Sequence, residues 1–124
     1  MRRIKSFSKL PEEAKAKILN MINALIEECD ESYKTMITDY DDSYIYKDDV
    51  IYDVKKEFYN EYNAISIDVS CICDDYNFEW KEFKYISAII GVMISNTPME
   101  DVELPIRVKA LLEEFKSKYY NEKR

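Results

Sequence analysis

Apolar residues recur at intervals of three and four through most of this chain, a spacing typical of amphipathic α-helices. The clearest stripe follows Pro11, a residue that suits the first turn of a helix. Its members are Ile18, Ile22, Leu25, Cys29, Tyr33, Met36 and Tyr40. An unbroken helix over 11–40 would be about 45 Å long, which exceeds the roughly 35 Å expected for a compact domain of this size. We therefore expect a bend or break near Asp30, or a helix that projects beyond the body.

Three further stripes predict three further helices. The second helix is expected to start near Asp48 or Asp49 and the last at Leu104-Pro105, with 41–49 as a connection. The third stripe is apolar over most of its circumference, so we expect this helix at the centre of the fold. The three stripes are Ile51, Val54, Phe58 and Tyr62; Phe83, Ile86, Ile90 and Met93; and Ile106, Lys109, Leu112, Phe115 and Tyr119. Asp74, Asp75 and Asn77 offer N-cap chemistry for the third helix.

Residues 65–73 fit two structures. Apolar side chains alternate there as in a strand, and β-branched residues are frequent, yet Ile65, Val69 and Ile72 also continue the helical stripe from Tyr62. We favour the helix. The fold class is therefore mainly α, a compact bundle of four to five helices. The alternative is an α+β fold with a small sheet from residues 43–53 and 65–73.

Composition agrees with a helical fold. The chain has one glycine and three prolines in 124 residues, whereas tight hairpins and bulges depend on glycine. This length predicts a single domain over 1–124. No secretion signal or apolar run of membrane-spanning length is apparent, so we expect a cytoplasmic protein without membrane contact. Frequent Lys, Ile, Tyr and Asn, all residues with A/T-rich codons, point to a bacterial or phage origin.

Several kinds of chemistry are excluded by residues that the chain lacks. Without histidine there is no Ser-His-Asp or Cys-His pair, and a single glycine leaves no phosphate-binding loop. Cys29, Cys71 and Cys73 are expected to be free thiols, because the last two are too close for an unstrained mutual disulfide. We expect no cofactor, no metal and no enzymatic activity. Phe78, Trp80 and Phe83 lie beside acidic residues, which favours core packing over nucleic-acid stacking.

Carboxylate motifs leave one enzymatic alternative. Asp39 to Val50 begins like a calcium loop but has Tyr44 where glycine is needed and Val50 where glutamate is needed, so it is not an EF-hand. The segment Glu27-Glu28-Cys29-Asp30-Glu31 resembles the EExxE half of the all-α nucleoside-triphosphate pyrophosphatases. That resemblance implies Mg²⁺ between helical carboxylates, although the following helix has the wrong spacing for the second motif. The candidate ligands are Glu27, Glu28, Glu31, Asp53 and Glu57.

The most distinctive segment is residues 27–53, which contains ten acidic residues and five tyrosines against two lysines. Carboxylates create a long-range negative field, and tyrosines provide rigid contact area. The overall charge of −7 argues against direct nucleic-acid binding and favours a basic protein partner. The candidate partner-binding residues are Asp39, Tyr40, Asp41, Asp42, Tyr44, Tyr46, Asp48, Asp49 and Tyr52.

We therefore expect an acidic inhibitor that occludes a basic, nucleic-acid-binding surface of a target such as a nuclease. In physical type it resembles bacteriocin immunity proteins, anti-restriction proteins and some anti-CRISPRs, although no family motif is present. Two alternatives remain. One is the Mg²⁺-dependent pyrophosphatase, and the other is a structural or oligomeric phage or bacterial scaffold. The scaffold predicts a homodimer, with the seam Ile18–Tyr40 as its contact if the long helix projects.

Overall fold

The described residues form four α-helices and a short 3₁₀ helix. The computed structural model describes residues 3–42, 47–96 and 101–122, and their side chains at 3–35, 37, 53–96 and 101–119. The 3₁₀ helix is Phe7–Lys9, and the α-helices are α1 (Glu12–Asp42), α2 (Lys47–Asp75), α3 (Lys81–Asn96) and α4 (Leu104–Glu122). None of the described helices combines the length and the hydropathy needed to cross a membrane.

The predicted all-α bundle is confirmed, and the alternative with a small sheet is wrong. Residues 65–73 lie inside α2, where Val69 and Cys73 are buried on the same face as Phe58 and Tyr62. Residues 47–53 are also helical, which removes the partner that a strand would need, and 43–46 lie outside the described residues. Among the described residues, the β-type pairing is one isolated bridge between Ile4 and Phe78.

Helix α1 is the central helix. It packs along both α2 and α4. The side chains of its stripe are at most 1% exposed to solvent, namely Ile18, Ile22, Leu25 and Cys29. Of the two predicted alternatives, a bend or break near Asp30 and a projecting helix, the break is wrong, since α1 continues through that residue to Asp42. A helix of this length extends past the shorter helices α3 and α4, so its far end is accompanied by α2.

The prediction that the third helix forms the centre is wrong. Only Phe83 and Ile90 of α3 are buried, whereas Tyr85 is 70% and Val92 59% exposed. Helix α3 covers one side of the bundle and is linked to α2 by a hydrogen bond that the Tyr62 hydroxyl donates to Ser87 Oγ, at 3.3 Å. The start of α4 at Leu104 is confirmed, but Ile106 lies on its exposed side and Val108 takes the inner position.

The C-terminal end of α2 is closed by Asn77, so its predicted role as an N-cap for α3 is wrong. Asn77 has a φ of 54°, in the left-handed region that asparagine tolerates better than most residues. The Phe78 amide donates to the Cys73 carbonyl at 2.7 Å and the Asn77 amide to the Asp74 carbonyl at 3.1 Å. This pair of bonds is the Schellman motif, and the buried contact side chains Phe78 and Cys73 complete it.

An aromatic cluster around Trp80 closes the end of the bundle where α2 turns into α3. The indole stacks on Phe7, Phe78 and Phe83 at centroid distances of 5.5, 5.5 and 5.3 Å, and it also meets Phe115 at 5.2 Å. The prediction that these rings belong to the core is confirmed. The N-terminal segment is fixed beside them, because the amide of Ile4 donates to Asn77 and its carbonyl accepts from Glu79.

Replacement of Asn77 tests the closing turn of α2. Both Asn77→Gly and Asn77→Ala remove the same side-chain contacts, but only alanine retains a Cβ in the left-handed region. We expect Asn77→Ala to be less stable than Asn77→Gly by about 1 kcal/mol. Urea denaturation followed by circular dichroism measures the difference. Equal stability of the two variants would show that the backbone conformation at this position is not as described.

Gly91, inside α3, is a site where stability can be gained. A Cβ built on Gly91 meets nothing within 4 Å, so the fold does not require glycine there. Because alanine loses less backbone entropy in a helix, Gly91→Ala should raise the free energy of unfolding by about 0.5–1 kcal/mol. A thermal melt of the variant beside the wild type provides the measurement. A lower melting temperature would indicate an unseen close contact.

Candidate acidic docking surface

The acid- and tyrosine-rich segment occupies the far end of the hairpin formed by α1 and α2. Four of its candidate residues lie in the last turn of α1 and three in the first turns of α2. Tyr44 and Tyr46 lie outside the described residues, between the two helices. The first group is Asp39, Tyr40, Asp41 and Asp42, and the second is Asp48, Asp49 and Tyr52. The backbone therefore brings both groups to one end of the protein, while the role of their side chains stays a prediction.

The carboxylates at the end of α1 oppose the helix dipole. The C-terminal end of a helix carries partial negative charge, and α1 has acidic residues and no basic residue in its last turn. Each such carboxylate is typically unfavourable by 0.3–1 kcal/mol. By contrast, Asp48 and Asp49 lie in the first turn of α2, where negative charge is favourable. The sequence thus places like charge at the C-terminal end of α1 and opposite charge at the N-terminal end of α2.

A second group of carboxylates faces the seam between α1 and α2, closer to the core. We call Glu28, Glu31, Glu57 and Glu61 the acidic face. Three of them, Glu28, Glu31 and Glu57, line one surface pocket of about 160 Å³, together with Ser32, Thr35 and Val54. Helical spacing explains the grouping, because residues three or four apart share a side of a helix. The antiparallel pairing of α1 with α2 then brings the two carboxylate rows together.

The pKa of Glu28 reflects the negative charge of this group. Partial burial raises the pKa of its carboxyl above the ordinary value, and the nearby charges of Glu61, Glu57 and Glu31 raise it further. Ser32 Oγ donates a hydrogen bond to Glu28 Oε1 at 3.3 Å and counteracts the increase in part. The charges that shift this pKa are those of Glu61, Glu57 and Glu31, which are all negative.

Several carboxylates elsewhere on the surface are paired with a cation. Asp30 accepts from Lys109 at 2.7 Å and links α1 to α4, Glu13 contacts Lys17 at 3.3 Å, and Asp101 is held by Arg107. The guanidinium of Arg107 keeps the pKa of Asp101 below its usual range. Among the ion pairs of the described side chains, none includes a member of the acidic face. Unpaired carboxylates also occur elsewhere among the described residues, so the acidic face is distinguished by the convergence of its carboxylates from two helices on one pocket.

The candidate metal ligands are partly brought together. Glu28, Glu31 and Glu57 share the pocket, whereas Glu27 and Asp53 are exposed and do not line it. Within the described part of the chain, no three histidine, cysteine, aspartate or glutamate side chains are arranged to hold a metal ion. The acidic face is therefore a region of negative potential without the ligand geometry of a metal site.

The two buried thiols, Cys29 and Cys73, offer little nucleophilic chemistry. Burial raises the pKa of Cys29 to about 12 and that of Cys73 to about 11, so both stay protonated near neutral pH. Cys71 is exposed on α2. The prediction of free thiols is confirmed for these three residues.

Two hydroxyl residues of the pocket were missed by the sequence analysis. Ser32 is almost fully buried and Thr35 lines the same pocket, with its hydroxyl bonded to the Glu31 carbonyl at 2.9 Å. Their spacing contained the signal, because Ser32 lies four residues after Glu28 and Thr35 four after Glu31. Neither residue belongs to the apolar stripe or carries a charge, and the site residues were predicted from those two patterns alone.

Comparison with known protein families, with curated proteins and with solved structures finds no match for this chain.

The raised pKa of Glu28 predicts a pH-dependent effect of its replacement. A carboxyl with a higher pKa in the folded state binds more protons when folded, so its contribution to stability falls as the pH rises through that interval. Glu28→Gln keeps the acceptor for Ser32 and removes the charge. It should raise the melting temperature at neutral pH, and this gain should disappear as the pH falls to the ordinary value of 4.5.

The control is Glu27→Gln, which removes the same charge at the adjacent, exposed position. Melting temperatures of both variants and the wild type, measured between about pH 4 and 8, isolate the effect of the surroundings of Glu28. An identical pH profile for both variants would contradict the role assigned to the acidic face.

Proposed function

We propose that this protein binds another protein and occludes a basic, nucleic-acid-binding surface with the carboxylates of the α1–α2 hairpin. The observation that supports the proposal most directly is the acidic face, where Glu28, Glu31 and Glu57 converge from two helices beside charges of their own sign. Unpaired carboxylates weaken a fold slightly, since like charges at helical spacing repel by about 0.2–0.5 kcal/mol per pair. A basic partner would supply the missing cations.

The linear charge density of the hairpin favours mimicry of nucleic acid. Residues 27–42 of α1 and 47–61 of α2 run side by side over about 24 Å, at ~1.5 Å per residue. Their twelve carboxylates amount to one per roughly 2 Å, or one net charge per roughly 3 Å after four lysines are subtracted. Duplex DNA carries one negative charge per ~1.7 Å of axis. The hairpin therefore presents about half the net charge density of the duplex that it would replace.

Charge and aromatic contact would act at different stages of binding. The negative field accelerates encounter with a basic surface, and this acceleration decreases as salt screens the charges. Tyrosines provide rigid contact area of the kind that dominates interface energies, which lengthens the life of the complex. The partner expected from this combination is a nuclease or another nucleic-acid-binding protein, as in immunity or anti-defence.

An affinity pulldown tests this proposal. The tagged protein would be exposed to lysate of an AT-rich bacterial host at low and at moderate salt, with and without added duplex DNA. A basic nucleic-acid-binding protein that is retained at low salt and displaced by DNA would support the mimicry. Retained proteins that DNA does not displace would contradict it, as would recovery of the bait alone.

Charge reversal at the hairpin end gives a quantitative prediction for that partner. Replacement of Asp41, Asp42, Asp48 and Asp49 by lysine should slow association at low salt by roughly tenfold or more, because steering is lost. Surface plasmon resonance with the immobilised partner gives the rate. Circular dichroism of the variant verifies that the helices remain.

A matched variant distinguishes the effect of where the charge lies from the effect of the total net charge. Replacement of Asp68, Asp74, Asp75 and Glu103 by lysine changes the net charge equally at exposed positions outside residues 27–61. This control should associate at close to the wild-type rate. Equal slowing in both variants would show that net charge alone, and not its position, determines the rate. Unchanged association after charge reversal at the hairpin end would refute the proposed site.

A metal-dependent nucleotide pyrophosphatase is the second candidate, because Glu28, Glu31 and Glu57 share one pocket between two helices of an all-α fold. It requires that Mg²⁺ or Mn²⁺ complete a ligand set that the described side chains do not form by themselves. Pyrophosphate release from nucleoside triphosphates with Mg²⁺, lost in Glu28→Gln, would favour this candidate over the inhibitor.

A further inference from the structure

The outward side of α3 is an apolar surface that the bundle leaves uncovered. Tyr85 is 70% exposed, Val92 59% and Ile89 37%, and their spacing with exposed Ala88 places all four on one side of the helix. Exposed apolar residues scattered singly are ordinary, but a row along one helix forms a contiguous patch. Because the charged hairpin lies elsewhere, this patch is independent of the function proposed above.

We propose that two copies of this chain associate through α3, packed antiparallel across a two-fold axis near Ala88 and Ile89. A two-fold contact is self-complementary, so each residue of the patch meets its counterpart in the second copy. With the axis between 88 and 89, Tyr85 of one copy lies level with Val92 of the other. The two most exposed apolar side chains of α3 are then buried together.

The distribution of charge favours a second copy of this chain as the partner that covers the patch. The chain carries a net charge of −7, so two copies repel each other over most of their surface. From Tyr85 to Asn96, however, α3 has no charged residue. Like charges therefore do not face one another when this helix pairs with itself. A basic partner, in contrast, would find no carboxylate on α3 between Tyr85 and Asn96.

The antiparallel direction follows from the ends of α3. Its last turn contains no basic residue, so the negative end of its dipole lacks a neighbouring cation within the helix. In the antiparallel pair Lys81 of one copy lies level with Asn96 of the other and supplies that cation. Lys81 is 78% exposed and contacts Glu79 at 3.6 Å, a surface ion pair of low energetic value. A parallel pair would instead bring the two Lys81 side chains together.

A groove beside the patch can receive a side chain from the second copy. It lies between α3 and α4 and has a volume of about 290 Å³. Its lining combines apolar side chains with three charged ones, namely Ile86, Ile89, Leu111, Phe115 and Tyr119 with Glu82, Glu114 and Lys118. Tyr85 stands at its edge. Across the two-fold axis, Val92 of each copy lies level with Tyr85 at the groove of the other, so Val92 is the side chain that the groove can receive.

The area of the patch limits the strength of this dimer. Tyr85, Val92 and Ile89 together expose on the order of 300 Å² of side-chain surface per copy. A stable interface buries about 800 Å² per partner, so the pairing belongs to the weak class. We expect a dissociation constant on the order of 10–100 µM.

Sedimentation equilibrium of the full chain from about 5 to about 500 µM spans that range. The wild type should pass from monomer to dimer, and Val92→Glu should stay monomeric. Ile67→Glu is the matched control, because Ile67 is 62% exposed on α2 and the charge change is the same. It should dimerise with at most a twofold weaker constant. A wild type that is monomeric throughout, or equal loss in both variants, would overturn the proposal.

Cross-linking tests the two-fold axis itself and does not depend on the folding of a charged variant. In a Cys71→Ser background, which removes the exposed thiol, Ala88→Cys should form a covalent dimer with a short bis-maleimide, and Ile67→Cys should not. Preferential cross-linking at Ile67→Cys would refute pairing through α3. Because neither readout involves a basic partner or the hairpin, failure here leaves the proposed inhibition untouched, and the reverse also holds.

Discussion

Burial of one stripe of α1 between α2 and α4 is the interaction on which the other features depend. Ile18, Ile22 and Leu25 are almost completely removed from water, and truncation of such a side chain typically costs 2–5 kcal/mol. Because α1 contacts both long neighbours, the register of this stripe determines which carboxylates of α1 face α2. The same burial fixes α4 against α1, where the Lys109–Asp30 ion pair joins them.

The fold separates two surfaces with opposite physical character. The hairpin end of α1 and α2 concentrates negative charge, which acts over distance and is weakened by salt. The outer side of α3 is uncharged and apolar, and it acts only on contact. Salt would therefore affect the two proposed associations in opposite directions, since kosmotropic salts strengthen apolar burial while they screen charge. One small bundle can in this way hold two contacts that respond independently to conditions.

Local periodicity predicted much of the fold, because a stripe such as Ile18–Cys29 records which side of a helix is buried. Periodicity does not record which helix is central. Helix α3 is rich in apolar residues, yet the bundle leaves one side of it uncovered. The role of Asn77 was missed for a related reason, since the same side chain suits a helix start or a helix end and only the chain direction decides. The carboxylates of the acidic face were visible in sequence, but their convergence depends on the pairing of α1 with α2.

The aromatic cluster around Trp80 also determines which part of this protein its intrinsic tryptophan fluorescence reports on. The single tryptophan of the chain lies just beyond the base of α2, about 40 Å from the turn of the hairpin, as 29 residues of helix separate the two ends. Its emission therefore monitors the packed end of the bundle and is blind to events at the acidic end. Seven of the eleven tyrosines precede residue 63 in the sequence, whereas Tyr119 contacts the indole at a centroid distance of 5.1 Å.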